Sequence, residues 1–223
     1  RLQRDLRNNE GNSQYLYYRH YGHFWSARAH DFAKAAEAVL AEQPHAGRRA
    51  VLVANYLRNG LDLSDRAIEV LLVAHRRGIL DEHGQVQLIN WLENANRFAE
   101  MIPLLEPLVS LRPEAMIYRT LLMQAYLRSS RPQQMRELRE QTEAHFHQGG
   151  RWTEANIALF AQGCLRCNEF SHAVSYYQEA IALHQRASGN VSMNDGVLSD
   201  YYSHLARAHA ALGHTGPAVD AAS

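Results

Sequence analysis

A short segment of the chain concentrates the residue types that hold metal ions or carry out thiol chemistry. The segment "GCLRCNEFSHA", residues 163–173, contains Cys164, Cys167 and His172. On a helix the two thiols would lie one turn apart and could share an ion, but a structural zinc site takes four ligands and this segment offers three. A thioredoxin-like dithiol would need a surrounding βαβ pattern, which the sequence lacks. The elements around the segment therefore decide whether it is a site or part of a core.

The histidines His20 and His23, in "RHYGHFWSARAH", are the other candidate metal ligands. His30 would lie about 10 Å from His23 along a helix, at 1.5 Å per residue, and is too far away to join them. No glutamate completes the HExxH motif of zinc hydrolases, and no phosphate-binding glycine loop or serine nucleophile motif is present. The sequence therefore predicts a protein that is not an enzyme and has no metal and no cofactor. A metal-binding or thiol enzyme is the less favoured alternative.

The charge balance limits the partners of this chain. Among 223 residues, Lys and Arg together number 23 and Asp and Glu together number 23, so the formal net charge is zero. A protein that binds nucleic acid or an anionic membrane surface usually carries a basic field. No apolar run approaches the roughly 18 residues that span a bilayer. The sequence therefore predicts neither a nucleic acid nor a membrane as partner. Its two cysteines are too few for a disulfide framework, which leaves the compartment open.

A repeat runs through the chain, and it sets the fold class. Small or flexible apolar residues open helical apolar runs at steps of 32, 34, 34, 38 and 45 residues, at Ala35, Ala67, Met101, Met135, Ala173 and Ala218. A second helical segment precedes each run, and strand or hairpin signals are absent. One helical hairpin cannot bury its apolar face alone, so neighbouring hairpins stack. This pattern predicts an all-α chain whose first helices line a concave surface.

The repeat resembles the tetratricopeptide family, whose pattern is W-x2-L-G-x2-Y, then A-x3-F, then A and P. The matching residues are Tyr18, Tyr21, Gly22 and Trp25 in one unit, Pro113 in another, Ala173, Tyr177 and Ala180 in a third, and Leu205, Ala206, Gly213 and Ala218 in the last. The resemblance implies a right-handed α-solenoid of about six antiparallel helix pairs. Arg139 departs from the pattern because the family has an apolar residue there, and this predicts a tilted or shifted fourth unit.

The repeat also predicts the boundaries. We expect an N-terminal flank at 1–13 and an array at 14–223, with units at about 14–45, 47–80, 82–113, 114–149, 152–186 and 198–223. The last unit lacks most of its second helix. The chain is therefore expected to be part of a larger protein.

Aligning the units assigns the candidate thiols to a structural role. Three residues after a small residue of each first helix comes a position expected to pack against the partner helix, here called the packing position: Trp25, Leu57, Leu92, Tyr126, Cys164 and His209. Cys164 therefore takes the place of bulky apolar residues, as free cysteines often do. Cys167 falls where the first helix ends, and His172 falls on a solvated shoulder. Packing is favoured over metal or redox chemistry.

Two residues before each packing position lies a polar residue, here called the groove position: His23, Asn55, Asn90, Gln124, Gln162 and Arg207. Four residues further on, and so on the same helical face, four units have Asn59, Asn94, Arg128 and Arg166. Amides offer both a donor and an acceptor, and guanidinium groups favour carboxylates. In the family that the chain resembles, such positions contact an extended peptide.

These residues predict a protein-interaction module that binds a peptide or partner domain, favouring one with an acidic group. The narrower carboxylate clamp of the family is not supported, because the places where it needs lysine hold Val51, Val86, Thr120 and Ala158. The alternative is a structural or oligomerisation array that packs against other domains of its own chain.

Overall fold

The computed structural model describes residues 47–149, 151–188 and 196–214, together with the single positions 31, 34, 35 and 38. Within the three ranges the chain forms nine α-helices, one short π-helix and no β-strand. The prediction of an all-helical chain is therefore confirmed for these ranges. The chain divides into two compact units between Arg97 and Phe98. This division falls inside the predicted repeat unit 82–113, between its two helices.

Unit 1 contains helix α1 (Gly47–Asn55), a π-helix (Tyr56–Gly60), α2 (Ser64–Arg76) and α3 (Glu82–Asn94). Helix α1 packs mainly against α2, and both contact α3. Helix α3 starts at an N-cap, where the Asp81 carboxylate accepts a hydrogen bond of 2.9 Å from the Gly84 backbone N–H. Such a cap satisfies one of the free N–H groups of a first helical turn. The core of this unit is mostly aliphatic and includes Leu57, Leu71, Leu88 and Leu92, and the Tyr56 ring is buried with them.

Unit 2 contains α4 (Phe98–Leu111), α5 (Met116–Arg128), α6 (Pro132–Gln148), α7 (Glu154–Arg166), α8 (Phe170–Ser188) and α9 (Gly196–Ala211). Successive helices pack against each other from α4 to α6 and from α7 to α9. Helix α7 packs more extensively on α5 than on α6, its immediate neighbour in the chain. Helix α9 packs on α8 and makes a smaller contact with α7. The helices α5, α7 and α9 therefore lie next to one another, although each is separated from the next by a whole helix in the sequence.

One turn geometry recurs after the first helix of each described pair. The left-handed residues of these turns are Asp62, Asn96, Ser130, Asn168 and Gly213, with φ between 54° and 76°. Their steps of 34, 34, 38 and 45 residues equal those of the sequence repeat. Asn, Asp and Gly tolerate this conformation better than most residues. The residue types thus explain why the first helices end at four of the five turns, and Ser130 is the exception.

The turns use the same pair of backbone hydrogen bonds, typical of a Schellman motif. At Asn96, the backbone N–H donates to the Glu93 carbonyl at 3.0 Å and the next N–H, of Arg97, donates to Leu92 at 2.8 Å. The turn at Asp62 differs, because the Leu63 N–H reaches back six residues to the carbonyl of Leu57. The π-helix at Tyr56–Gly60 accounts for this extra residue.

Candidate functional site

The two cysteines are buried core residues. Cys164 is fully buried, Cys167 is 3% exposed, and both thiols are free. Burial raises the pKa of Cys164, and the neighbouring Cys167 raises it further. Burial, assisted by Glu169, raises the pKa of Cys167 to about 12. Both thiols are therefore protonated at neutral pH, whereas nucleophiles and metal ligands are thiolates. The predicted packing role of Cys164 is confirmed, and Cys167 is the C-cap of α7, as the alignment predicted.

His172 belongs to a charged network and not to the thiols. Its Nε2 lies 3.0 Å from Nη1 of Arg139, and its Nδ1 lies 3.1 Å from a carboxylate oxygen of Glu169. Since a guanidinium group only donates, Nε2 is the acceptor and Nδ1–H donates to Glu169. His172 is half-buried, with 41% of its side chain exposed, and both ring nitrogens are engaged. The predicted solvated shoulder is therefore also a polar link between α6 and α8.

Arg139, the departure from the repeat pattern, is a buried cation. It is 8% exposed. Besides His172, its guanidinium contacts Glu140 at 3.1 Å and Glu143 at 4.0 Å. These carboxylates compensate the buried charge in place of the apolar contact that the family has at this position.

Metal ligands do not cluster in the part of the chain that the structure describes. No group of three or more His, Cys, Asp or Glu side chains there could hold an ion. The candidate pair His20 and His23 lies outside the described residues, and so does His30.

The packing positions behave alike in every unit that the structure describes. Leu57, Leu92 and Cys164 are fully buried, Tyr126 is 8% exposed and His209 is 9% exposed. In each recurring turn, their backbone carbonyls also accept the hydrogen bond that spans the larger number of residues. The same residue therefore joins the core of a pair to the turn that ends its first helix. This confirms the alignment for these five positions; Trp25 is not among the described residues.

The groove positions differ from one another in exposure. Asn90 and Arg207 are exposed, Asn55 and Gln162 are half-buried, and Gln124 is buried at 6% exposure. The residues four positions further on are all exposed, namely Asn59, Asn94, Arg128 and Arg166. His23 lies outside the described residues. Gln124 is therefore the one groove position among the described residues that is buried.

In unit 1 the amide at the groove position is used within the fold. The Asn55 side-chain oxygen accepts a hydrogen bond of 2.9 Å from the Gln87 amide of α3. Asn59 lies within the π-helix, next to Arg58, whose guanidinium carbon is 4.6 Å from the centre of the Trp91 ring. The sequence reasoning missed both Gln87 and the π-helix. Gln87 lies five residues before the packing position Leu92, and that offset was not considered.

In unit 2 the helices α5 and α7 approach each other closely through a glycine. A Cβ atom added at Gly163 would lie 2.6 Å from Cγ2 and 2.8 Å from Cβ of Thr120, closer than real side-chain contacts. The absence of a side chain at Gly163 thus allows this approach. Helix α5, which carries Gln124 and Arg128, thus packs directly on α7, which carries Gln162 and Arg166.

The ends of α5 and α7 carry two exposed cations. Burial has the larger effect on the pKa of Cys167, but the positive charges of Arg166 and Arg128 both act to lower it. Both guanidinium groups therefore lie near this thiol. The guanidinium carbon of Arg128 is also 5.8 Å from the centre of the Phe98 ring. Arg207, the groove residue of α9, contacts Nδ1 of His204 at 3.5 Å. Unit 2 therefore combines amides and guanidinium groups on helices that pack side by side.

No family model matches this chain, and no curated protein matches it either. Among the residues that the structure describes, none of the helices is long and apolar enough to cross a membrane.

Proposed function

We propose that this chain is a protein-interaction module, an α-solenoid of tetratricopeptide-like helix pairs. It binds an extended peptide or partner segment across α5, α7 and α9. Support for the solenoid comes from the contact of α5 with α7, past the intervening helix α6, and from the turn that recurs with the sequence period. Such contacts are those that stacked helix pairs make.

The observation that carries the proposal is the pairing of two amides and two guanidinium groups on adjacent helices. Gln124 and Arg128 lie one turn apart on α5, and Gln162 and Arg166 lie one turn apart on α7. Arg207 adds a cation on α9. Amides suit the alternating donors and acceptors of an extended backbone, and guanidinium groups suit a carboxylate. The ligand is therefore a peptide with at least one acidic group.

The face of unit 1 has the same positions with different chemistry. It carries four amides, Asn55, Asn59, Asn90 and Asn94, and no cation at those positions. We assign the acidic part of the ligand to unit 2 for this reason.

A selection from random ten-residue peptides displayed on phage tests the proposal. The baits are the wild-type chain, Arg128→Ala/Arg166→Ala, and the control Arg136→Ala/Arg186→Ala. The control removes two exposed arginines from the second helices α6 and α8, so it makes the same change in net charge. Circular dichroism establishes first that the three baits fold alike.

We expect the wild type and the control to enrich acidic peptides, and the double variant to bind them at least tenfold more weakly. Two lost charge-assisted hydrogen bonds at exposed positions together account for about 1.5–3 kcal/mol, which is a factor of ten or more. Binding should also weaken with added salt, because the contacts are exposed and screened. Equal loss in the control would reduce the effect to net charge and contradict the proposed face. If the wild type enriches no peptide, the proposed peptide binding is wrong. The alternative of a structural array that packs against other domains of its own chain is then favoured.

A further inference from the structure

Two arginines of unit 2 are buried, and only one of them has carboxylates that compensate its charge. Arg139 is 8% exposed and contacts Glu140 and Glu143. Arg119 of α5 is 7% exposed, and no carboxylate of the described residues forms an ion pair with it. A buried charge without a counterion is costly, so the surroundings of Arg119 need a physical explanation.

The groups that contact Arg119 are neutral. Its Nε–H donates to the Pro113 carbonyl at 3.0 Å, and its Nη1 donates to the Thr142 hydroxyl at 3.5 Å. That hydroxyl in turn donates to the Leu138 carbonyl at 2.6 Å. The guanidinium carbon of Arg119 lies 6.0 Å from the centre of the Phe146 ring. These contacts hold the guanidinium group in place without neutralising it.

Part of this guanidinium group faces solvent. Arginine has five N–H donors, and the two hydrogen bonds of Arg119 leave the others without an acceptor among the described residues. Its Nη2 makes no hydrogen bond and is not one of the unpartnered atoms that solvent cannot reach. A cation that the core holds in place therefore presents the N–H groups of Nη2 to solvent.

Two further basic side chains lie around the carboxylate of Glu114. One oxygen of Glu114 lies 2.9 Å from Nη1 of Arg151, and the other lies 3.4 Å from Nε2 of His145. The His145 contact has an ion-pair distance but no hydrogen-bond geometry. Burial lowers the pKa of Arg119 and the negative charge of Glu114 opposes this effect, so Glu114 lies close to Arg119 as well. One carboxylate thus lies among two arginines and a histidine, which leaves the cluster positively charged.

The cluster is separate from the proposed peptide-binding face. Arg119 and Arg128 are nine residues apart on α5, and at about 100° per residue they lie on opposite sides of the helix. Glu114 precedes α5, His145 is near the end of α6, and Arg151 follows α6. An inference about this cluster therefore does not depend on the proposed function.

We propose that Arg119 and Arg151 form a binding site for a phosphate group, either inorganic phosphate or the monoester of a small molecule. Guanidinium groups bind phosphate oxygens through paired N–H donors. A phosphate has more oxygens than a carboxylate, so it can accept from both guanidinium groups at once. The bound phosphate supplies the counter-charge that Arg119 lacks, and Glu114 competes with it for the same cations.

Titration with sodium phosphate at pH 7.0 tests the proposal, with the side-chain Nε–H resonance of Arg119 as the readout in ¹⁵N–¹H NMR spectra. This N–H is hydrogen-bonded, and the spectrum of Arg119→Met assigns its resonance by absence. Sodium chloride at the same ionic strength measures the effect of salt, and sodium acetate measures that of a carboxylate. Glycerol 3-phosphate distinguishes a monoester from inorganic phosphate.

Three variants at exposed positions complete the test: Arg151→Gln, Glu114→Gln and the control Arg136→Gln on α6. We expect a saturable shift with phosphate or the monoester and none with chloride or acetate. Arg151→Gln should weaken binding at least threefold, and Arg136→Gln should change it less than twofold. Glu114→Gln should tighten binding about threefold, because it removes the competing carboxylate.

Urea midpoints with and without phosphate give a second readout. Phosphate also stabilises proteins in general because it is excluded from their surface, so the gain in the wild type is compared with the gain in Arg119→Met. We expect a larger gain in the wild type. If Arg119→Met does not fold, the three exposed variants decide the question.

Three results would each overturn the proposal. The first is a shift in phosphate that equals the shift in chloride, and the second is an equally strong saturable shift in acetate. The third is equal weakening by Arg151→Gln and Arg136→Gln, since net charge alone would then account for the binding.

Discussion

Asn55 and Gln124 occupy the same position in two first helices, and the two units treat their amides in opposite ways. The Asn55 oxygen is bonded to Gln87 at 2.9 Å, whereas the Gln124 oxygen is buried without a partner among the described residues. An unsatisfied buried acceptor costs about 1–3 kcal/mol, so the arrangement in unit 2 is the less stable one. Binding sites are the regions of proteins where such local costs are most often retained. Unit 1 therefore uses this amide within its fold, whereas unit 2 buries the corresponding oxygen without a partner among the described residues.

The largest expected effect concerns the contact that brings α5 and α7 together. Gly163→Ala should lower the free energy of unfolding by about 1–3 kcal/mol, because the new Cβ would overlap the β-branched Thr120, which has few alternative rotamers. Urea denaturation measures this change. It should also weaken peptide binding, because it would move α5 and α7 apart.

Gly84→Ala in unit 1 is the matched control for that prediction. Its Cβ would meet mainly the end of a flexible side chain, Cδ1 of Leu80, at 2.5 Å. The better helix propensity of alanine, about 1 kcal/mol, should offset this contact. If the two alanine variants lose the same stability, the close approach of α5 and α7 has no special role.

Replacing each amide by an apolar side chain should change stability in opposite directions. Gln124→Met removes an acceptor without a partner and should raise the free energy of unfolding by about 1 kcal/mol, whereas Asn55→Leu leaves the Gln87 donor without its acceptor and should lower it by about 1 kcal/mol. Chemical denaturation of the two variants at pH 7.5 gives both values.

The double variant Asn55→Leu/Gln87→Leu serves as the control, because it removes both partners at once. It should recover most of the loss, since replacing both halves of a hydrogen bond is nearly neutral. A loss of stability in Gln124→Met similar to that in Asn55→Leu would mean that both amides are satisfied within the fold.

The smallest expected effect concerns His204 of α9, which lies five residues before the packing position His209. Its ring stacks on Tyr177, with centroids 5.5 Å apart. Burial and then the positive charge of Arg207 lower the pKa of His204 below its usual value, while Asp200 opposes them. The unfolded state therefore binds more protons than the folded state between the two pKa values, and stability rises with pH there. Stability should fall as the pH drops below about 6.5, the ordinary pKa of histidine.

Urea midpoints at pH 7.5 and pH 5.5 measure that decline. His204→Phe keeps a ring against Tyr177 and should reduce the decline without removing it, because burial and Arg76 lower the pKa of His75 in the same direction. His75→Phe should remove the rest of this pH-dependent loss of stability. The two effects should be independent, since His75 is in unit 1 and His204 is in unit 2. An unchanged pH dependence in both variants would show that other groups are responsible.

The fold was largely predictable because its signals are local. The repeat residues Ala67, Met101, Met135 and Ala173 are buried, as a helical apolar run requires. Of the turn residues five positions before them, Asp62, Asn96 and Asn168 are types that adopt a left-handed conformation more readily than most, whereas Ser130 is not. The π-helix at Tyr56–Gly60 was not predictable in this way, because its extra residue is absorbed inside the helix without a glycine or proline signal before it.

The candidate site was less predictable because its properties depend on pairs of distant residues. Gln124 was expected to be a groove residue like the others, and nothing in its own helix distinguishes it from Gln162. Arg139 was expected to tilt or shift its unit, which stays a prediction, and the structure shows that Glu140, Glu143 and His172 surround it. Glu140 and Glu143 lie on the same helix as Arg139 and could be read from the sequence, whereas the contact with His172 of α8 depends on how two helices pack.

The sequence by itself determined the helical class, the period of the turns and the burial of the packing positions, since helix periodicity and turn propensity act over a few residues. Only the tertiary structure decided that Asn55 is paired and that Gln124 is not. The donor for one amide lies 32 residues away, and the other amide oxygen has no donor among the described residues. Whether a polar group is satisfied depends on its neighbours in space, and the close approach at Gly163 determines those neighbours in unit 2.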